Sequence, residues 1–293
     1  MLLVSVVTKR PPYATDLSDA RWALIEPDLS AWRADRAAAG LGLTGPVHEL
    51  REIVNAILYV NRAGCAWHLL PHDFPPYKTV YGYYAAWQKD GTAEAIHHLL
   101  RAKARERAGR SPGPSTAILD AQSVKTSANA PEATQGIDAG KKIKGRKRHI
   151  ATDTLGLLLA VLVTAASVQD NAGGQALIRE LAAGHPAVAR AWVDSGYKRA
   201  VAEEGARHGI DVQVYTKQPG LKGFHATPRW PVERTFGWLM LHRRLARDYE
   251  TLPERSITMI HWSMIDTMSR RLTGESTPTW RTDSTTTGEL TAA

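Results

Sequence analysis

Three acidic residues stand where their carboxylates could do chemistry. Asp120 ends the β-rich run TAIL, Asp194 ends ARAWV, and Glu233 is near the start of a helix predicted from about Pro231. A carboxylate beside a buried strand is unfavourable unless it is paired or coordinated. Each residue also has a simpler explanation. An Asp can form a turn or cap a helix, and a first-turn Glu gains about 0.3–1 kcal/mol from the helix dipole.

Taken together, the three carboxylates indicate a metal site. Hard oxygen ligands suit Mg²⁺ or Mn²⁺, which share their remaining coordination positions with water and substrate phosphates. Two such ions can activate an attacking oxygen and stabilise a leaving oxygen at phosphorus. The sequence therefore predicts Asp120, Asp194 and Glu233 as catalytic metal ligands for phosphodiester chemistry, provided that the fold brings them to one edge of a sheet.

The elements that must position these residues follow an α/β pattern. Hydrophobic periodicity predicts three successive strands, then alternating helices and strands. The expected strands are TAILDAQSV, RHIATD, LLLAVLVTAAS, ARAWVD and DVQVYTK, and the expected helices are 175–183, RAVAEEGARHG and 231–248. Asp153 is assigned to the hairpin turn DTLG. This order predicts a mixed sheet covered by helices.

The chain before this region is predicted to be helical. Ser18 is expected to cap a helix that stops at Pro27, and further helices are expected over 47–62, from an N-cap at Thr79 to Gly91, and over 93–107. We therefore predict a helical region in residues 1–112, a catalytic region in 113–272 and a disordered tail in 273–293.

The second and third of these long helices, with a Pro-rich turn between them, are compatible with a helix-turn-helix. In that arrangement Lys78 and Thr79 would lie near DNA. The alternative is a bundle that only packs or dimerises. Its expected core residues are Tyr83, Tyr84 and Trp87.

The chain has a net charge of +8, and one run of it is strongly basic. The run KKIKGRKR has six basic residues out of eight, and the predicted phosphate contacts are Lys141, Lys142, Lys144, Arg146, Lys147 and Arg148. Contacts of this kind are electrostatic and salt-dependent. A solvated loop or a localisation signal would have the same composition.

The cysteine content and the lengths of the apolar runs indicate the cellular compartment. The single cysteine, Cys65, excludes an internal disulfide and a Cys-rich zinc finger, which favours a reducing compartment. The apolar run Leu2–Val7 is too short for a signal-peptide core, and no later run reaches the length of a membrane span. We expect a cytoplasmic protein.

Several motifs in a fixed order resemble one family. ILDAQSVKT, GKKIKGRKRHIATDTLGLLLAVLV, WVDSGYK and RWPVERTFGWL resemble the DDE transposases of the IS5 group of insertion sequences, within the wider IS4-like superfamily. The segment AILYVNRAGCAWHLLPHDFPPYKTVYGYYAAW resembles their helical N-terminal domain. The similarity extends from about Leu17 to Arg271, and the linked order of the motifs makes it specific.

The resemblance implies an RNase H-like catalytic fold after an all-α, helix-turn-helix-like N-terminal domain. Asp120, Asp194 and Glu233 match the family's metal ligands, which implies two Mg²⁺ or Mn²⁺ ions. It further implies recognition of double-stranded DNA at terminal inverted repeats, cleavage that frees 3′-OH ends, and joining of those ends to target DNA. Members act as homodimers or larger multimers, in the prokaryotic nucleoid.

The segment around Glu233 departs from the family signature at two positions. Arg229 matches the signature Arg, but Ala226 and Met240 replace a Tyr and a Lys, so the DNA contacts of those side chains are not expected here. Positive charge from Arg234, Arg243 and Arg244 is the suggested substitute. Two alternatives to a transposase remain at this stage: an RNase H-like nuclease that joins no ends, and an inactive DNA-binding regulator.

Overall fold

The computed structural model describes residues 10–41, 48–197, 199–215 and 228–278. The helices are α1 (Asp19–Ala23), α2 (Glu26–Ala38), α3 (Leu50–Ala63), α4 (Tyr77–Lys89), α5 (Thr92–Arg107), α6 (Asp170–Gly184), α7 (Arg199–Arg207), α8 (Trp230–Met240) and α9 (Pro253–Thr273). The strands are β1 (Thr116–Lys125), β2 (Gly136–Asp138), β3 (Ile143–Thr152), β4 (Leu158–Ala165), β5 (Arg190–Asp194) and β6 (Asp211–Tyr215). None of the described helices is long and apolar enough to cross a membrane.

The strands form one mixed sheet in the order β2-β3-β1-β5-β6, with β4 also pairing β3. β1, β3 and β4 are antiparallel, and the β3–β4 hairpin turns at Asp153, whose Oδ1 accepts hydrogen bonds from the backbone N–H groups of Leu155 and Leu157. β5 and β6 run parallel to β1 through helical crossovers. This is the RNase H-like arrangement that the resemblance implies, and the predicted fold class is confirmed.

Helices cover both faces of the sheet, because apolar side chains alternate along the strands. On β1, Ala117 and Leu119 face a core formed with α6 and α7, whereas Ile118 faces a second core formed with α3, α4, α5, α8 and α9. Tyr83, Tyr84 and Trp87 lie in this second core. Their predicted packing role is therefore correct.

The N-terminal helices and the sheet share this second core. α9 contacts α1, α3, α4 and α5 on one side and β4 and α8 on the other. It also carries Asp266, which pairs with buried Arg21 of α1. Packing is therefore continuous across the predicted domain boundary near residue 112. The division of the chain there into a DNA-binding and a catalytic part stays a prediction. The tail predicted to be disordered falls largely in 279–293, outside the described residues.

Several predicted helix limits are wrong. α1 ends at Ala23, and Pro27 lies in the first turn of α2, where proline is tolerated. Pro76, not Thr79, precedes α4. The predicted helix 231–248 ends at Met240.

The sequence analysis also missed α9. Its Ser256, Ser263, Asp266, Thr267 and Ser269 are buried along with its apolar residues. A helix enclosed on all sides lacks the apolar stripe by which surface helices are recognised.

Most of the basic run is a strand, and only Lys141 and Lys142 lie in the turn before it. β3 begins at Ile143, inside the run, and Arg146, Lys147 and Arg148 are buried. The Arg146 guanidinium donates to the carbonyls of Glu250 and Thr251, and Arg148 donates to the carbonyl of Leu245. Lys147 pairs with acidic side chains. The predicted phosphate contacts by Arg146, Lys147 and Arg148 are therefore corrected: these residues anchor β3 to the surrounding elements.

Candidate active site

Parallel pairing of β1 with β5 brings two of the predicted carboxylates together. Ile118 aligns with Trp192, so Asp120 and Asp194, each two residues further on, lie side by side. Because side chains alternate along a strand, Asp120 faces the same side as Ile118, where α8 packs. Both carboxylates remain partly accessible, with side-chain exposures of 19% for Asp120 and 35% for Asp194.

Each aspartate uses one oxygen locally and offers the other to the site. Oδ1 of Asp120 accepts from its neighbour's N–H, that of Ala121, at 2.8 Å, and Oδ1 of Asp194 accepts from the N–H of Gly196 at 2.8 Å. The Oδ2 atoms both face Arg229, whose Nη2 lies 2.9 Å from Asp120 and 3.6 Å from Asp194. Asp194 therefore makes the turn interaction considered from the sequence, whereas Asp120 lies inside β1 and not at a strand end as predicted. One oxygen of each residue is left facing a cation.

The electrostatics of Asp120 reflect two opposing effects. Burial raises the pKa of Asp120, and the nearby Asp194 carboxylate adds to this. The Arg229 guanidinium, the Ala121 N–H and Lys141 act in the other direction. Two adjacent carboxylates thus require positive charge between them, and Arg229 supplies it here.

Glu233 does not join the two aspartates in a common cluster. It lies in the first turn of α8 and its side chain is exposed. It is four residues after Arg229, so the two side chains project from the same side of the helix. Among the described residues, no three His, Cys, Asp or Glu side chains are close enough to hold one ion together. The structure therefore assembles the Asp120–Asp194 pair and leaves Glu233 one helical turn beyond Arg229.

Buried contacts hold this first turn of α8 on the sheet. Val232, Thr235 and Leu239 face the core, and the Thr235 hydroxyl donates to the carbonyl of Gly156 at 2.7 Å. Pro231 occupies the first turn, as predicted. Ala226 lies outside the described residues, and Met240 is the exposed last residue of α8.

The donor set fits a divalent cation. Carboxylate oxygens are the ligands that Mg²⁺ and Mn²⁺ prefer, and the two Oδ2 atoms already converge on a single positively charged nitrogen. Asp120 and Asp194 offer two ligands for such an ion, whereas Glu233 lies too far from them to share it within the described geometry. A change in the Arg229 and Glu233 side chains is needed to bring the third carboxylate to it.

The other predicted DNA contacts divide by exposure. Lys141, Lys142 and Lys144 are exposed, and the Lys141 ammonium donates to the carbonyl of Ala121, next to Asp120. Lys78 is exposed at the start of α4, and Thr79 is half-buried beside it. Their DNA contacts stay predictions.

The three arginines suggested as substitutes for the missing signature residues also differ in solvent exposure. Arg244 is buried and pairs with Glu250, so it supplies no surface charge. Arg243 is exposed, whereas Arg234 is half-buried on α8, next to Glu233.

Tyr197, which the sequence did not single out, lies near the two aspartates but in the core on the other face of the sheet. Its ring is buried against Gly174, where a Cβ would lie 2.7 Å from the ring, and its hydroxyl has no hydrogen-bond partner among the described residues. Burial raises its pKa well above the usual value, and Asp120, Asp170 and Asp194 add to the effect. The signal was available in WVDSGYK, where Tyr197 follows Asp194 by three residues.

Comparison with known families agrees with the fold. Residues 17–97 match the family described as "Putative transposase of IS4/5 family", and residues 111–265 match the family described as "Transposase DDE domain". No curated protein matches the chain. The fold and the family match are those of a DDE-type enzyme. Because the second match covers more than half of the chain, the chain belongs to the DDE transposase family, and the first match makes it an IS4/5-type member.

Proposed function

We propose that this transposase cuts DNA at the ends of an insertion sequence and joins the freed 3′-OH ends to target DNA, with Asp120, Asp194 and Glu233 as its catalytic metal ligands. One observation carries the site assignment: the Oδ2 atoms of Asp120 and Asp194, which are 74 residues apart in sequence, converge on the same nitrogen of Arg229. The family assignment supports the reaction class.

The roles follow from chemistry. When bound, two divalent ions supply Lewis-acid activation of the attacking oxygen and stabilisation of the leaving oxygen. Asp120 and Asp194 orient their free Oδ2 atoms because backbone N–H groups fix the Oδ1 atoms. Glu233 supplies the third carboxylate from the rigid start of α8. Arg229 neutralises the aspartate pair before metal binds and is then available to a DNA phosphate.

The DNA partner is double-stranded and includes the terminal repeats and the target. The exposed Lys141 donates to the carbonyl of Ala121, next to Asp120, so it is placed to contact the DNA backbone there, and the exposed Lys142 and Lys144 are the further proposed contacts. Lys78 and Thr79 at the start of α4 are the proposed contacts of the helical region. Cutting and joining two ends requires at least two active sites, which favours a homodimer or larger assembly.

Ligand substitutions test the site. A plasmid that carries the gene with its bordering DNA is incubated with protein and Mg²⁺, and cut and joined products are separated on a gel. Asp120→Asn, Asp194→Asn and Glu233→Gln are each expected to lower the rate more than about 100-fold. The matched control is Asp211→Asn, an exposed aspartate on the neighbouring strand β6, with an unchanged rate.

Metal replacement distinguishes ligation from structural support. Asp120→Cys is expected to be inactive in Mg²⁺ and partly restored in Mn²⁺, because a thiolate is a poor ligand for the harder ion. Mn²⁺ binding measured by electron paramagnetic resonance should weaken in Asp120→Asn but not in Asp211→Asn. Full activity of any of the three substituted variants removes that residue from the site.

The same assay separates a nuclease from a transposase. A nuclease gives cut ends without joined products. Recovery of the bordering DNA covalently linked to target plasmid supports transposition, and its consistent absence alongside efficient cutting favours the nuclease.

A further inference from the structure

A cleft lined by three arginines opens beside α8. Its volume is about 340 Å³, and its walls come from the end of α5, the β3–β4 hairpin, α8 and the end of α9. Arg107, Arg234 and Arg271 line it together with Leu155, Leu157 and Leu272. Arg234 directly follows Glu233 on α8, so this arginine cleft begins next to the proposed active site.

Tryptophan rings hold two of these guanidinium groups in place. The guanidinium carbon of Arg234 lies 4.3 Å from the ring centre of Trp230 and 4.7 Å from that of Trp238. The guanidinium carbon of Arg271 lies 3.9 Å from the ring centre of Trp238. Stacking at these distances is favourable and fixes the planes of both groups. Two positive charges therefore share one aromatic ring.

Within the described part of the chain, the positive charges of Arg234 and Arg271 are offset only from a distance, by Asp153, which is itself paired with Arg105. There, no carboxylate oxygen lies within the 4.0 Å ion-pair distance of Arg107, Arg234 or Arg271. Arg234 donates to the carbonyl of Leu155 at 2.9 Å, but its buried Nε has no partner among the described residues. Partial burial lowers the pKa of Arg234 and of Arg271, and Arg234 lowers that of Arg271 further, whereas the Asp153 carboxylate raises both.

We propose that the arginine cleft binds a backbone phosphate of the DNA strand that passes Glu233. Phosphate accepts paired hydrogen bonds from planar guanidinium groups, and an anion removes the repulsion between Arg234 and Arg271. The leucine walls offer no hydrogen-bond donor that would favour a sugar or a base edge. The inference rests on the proposed function, because it takes DNA as the ligand.

The salt dependence of DNA binding tests the cleft. A labelled duplex taken from the DNA bordering the gene is titrated with full-length protein between about 50 and 200 mM salt. The double variant Arg234→Gln/Arg271→Gln is expected to lower the slope of log K against log salt by about 0.9, the loss of one phosphate contact. Arg234→Lys/Arg271→Lys keeps the charge and should keep the slope.

Arg199→Gln is the control, because Arg199 is an exposed arginine on α7, which packs on the opposite face of the sheet. It should bind with the wild-type slope. A wild-type slope in the double Gln variant overturns the cleft alone and leaves the proposed function intact. Absence of salt-dependent binding by the wild-type protein overturns both. If the Gln variant melts at a lower temperature, its binding is no longer a clean test and the Lys variant decides. A reduced slope in the Lys variant, which keeps both positive charges, then contradicts the proposal for the cleft.

Discussion

The basic run from Lys141 to Arg148 contains two regions that differ in solvent exposure. Up to Lys144 its side chains are exposed, and from Gly145 onward the chain is covered. Lys144 makes one exposed ion pair, whereas Arg146 is enclosed by backbone carbonyls. Charge in a sequence therefore does not specify a surface. Strand pairing decides which basic residues meet water and which hold the fold together.

The burial of Arg146 depends on more than its paired carboxylate. Its guanidinium bonds the Glu250 and Thr251 carbonyls and the Thr134 hydroxyl, and it lies 3.3 Å from the carboxylate of Asp248. The segment that leads into α9 is thereby attached to β3.

Arg146→Gln should give the largest effect on stability. It leaves the buried Asp248 without its cation, which typically costs about 3–5 kcal/mol of unfolding free energy. Urea denaturation followed by circular dichroism measures this. Lys144→Gln is the matched control in the same strand, and equal destabilisation of the two variants would contradict the division of the run.

The residue between the two regions is a glycine for a steric reason. A Cβ on Gly145 would lie 2.1 Å from the carbonyl oxygen of Val124 and 2.9 Å from the Cα of Lys125. Gly145 pairs with Lys125 at the end of the β1–β3 ladder. Any side chain there must separate the two strands.

Gly145→Ala is accordingly expected to lower the unfolding free energy by about 1–3 kcal/mol, in the range of overpacked cores. Thermal melting provides the measurement. Gly82→Ala on α4 is the control, since a Cβ there meets nothing within 4 Å and alanine favours a helix. A Gly145→Ala variant as stable as the wild type would mean that the strands separate there without cost.

The sequence predicted the central strands and, through them, the position of Asp120 and Asp194. Apolar runs followed by Asp identify strands β1 and β5, although β1 continues beyond Asp120 to Lys125. The parallel pairing of these strands, which brings the two aspartates together, comes from the structure. The start of β3 was less predictable. The segment KKIKGRKR contains no run or alternation of apolar residues. A strand that begins with charged residues therefore has no hydrophobic pattern by which it can be identified.

Partners distant in sequence explain the remaining errors. The carbonyls that enclose Arg146 come from a segment 104 residues later, and local periodicity contains no information about them. The exposed position of Glu233 depends likewise on how α8 sits on β1 and β3. Its distance from the aspartates could not be read from a helix start.

The smallest effect on stability, and the most direct test of the division, comes from Lys141→Gln/Lys142→Gln/Lys144→Gln. Exposed charges contribute little, so the unfolding free energy should change by less than about 1 kcal/mol. DNA binding should respond instead, with the slope of log K against log salt falling by about 0.9 for each lysine that contacts a phosphate. Arg146→Gln should show the reverse, losing stability while its folded fraction keeps the slope. A triple variant with unchanged DNA binding would show that neither region of the run contacts DNA. Its charged residues would then act only in the structure of β3 and in the hydration of the surface.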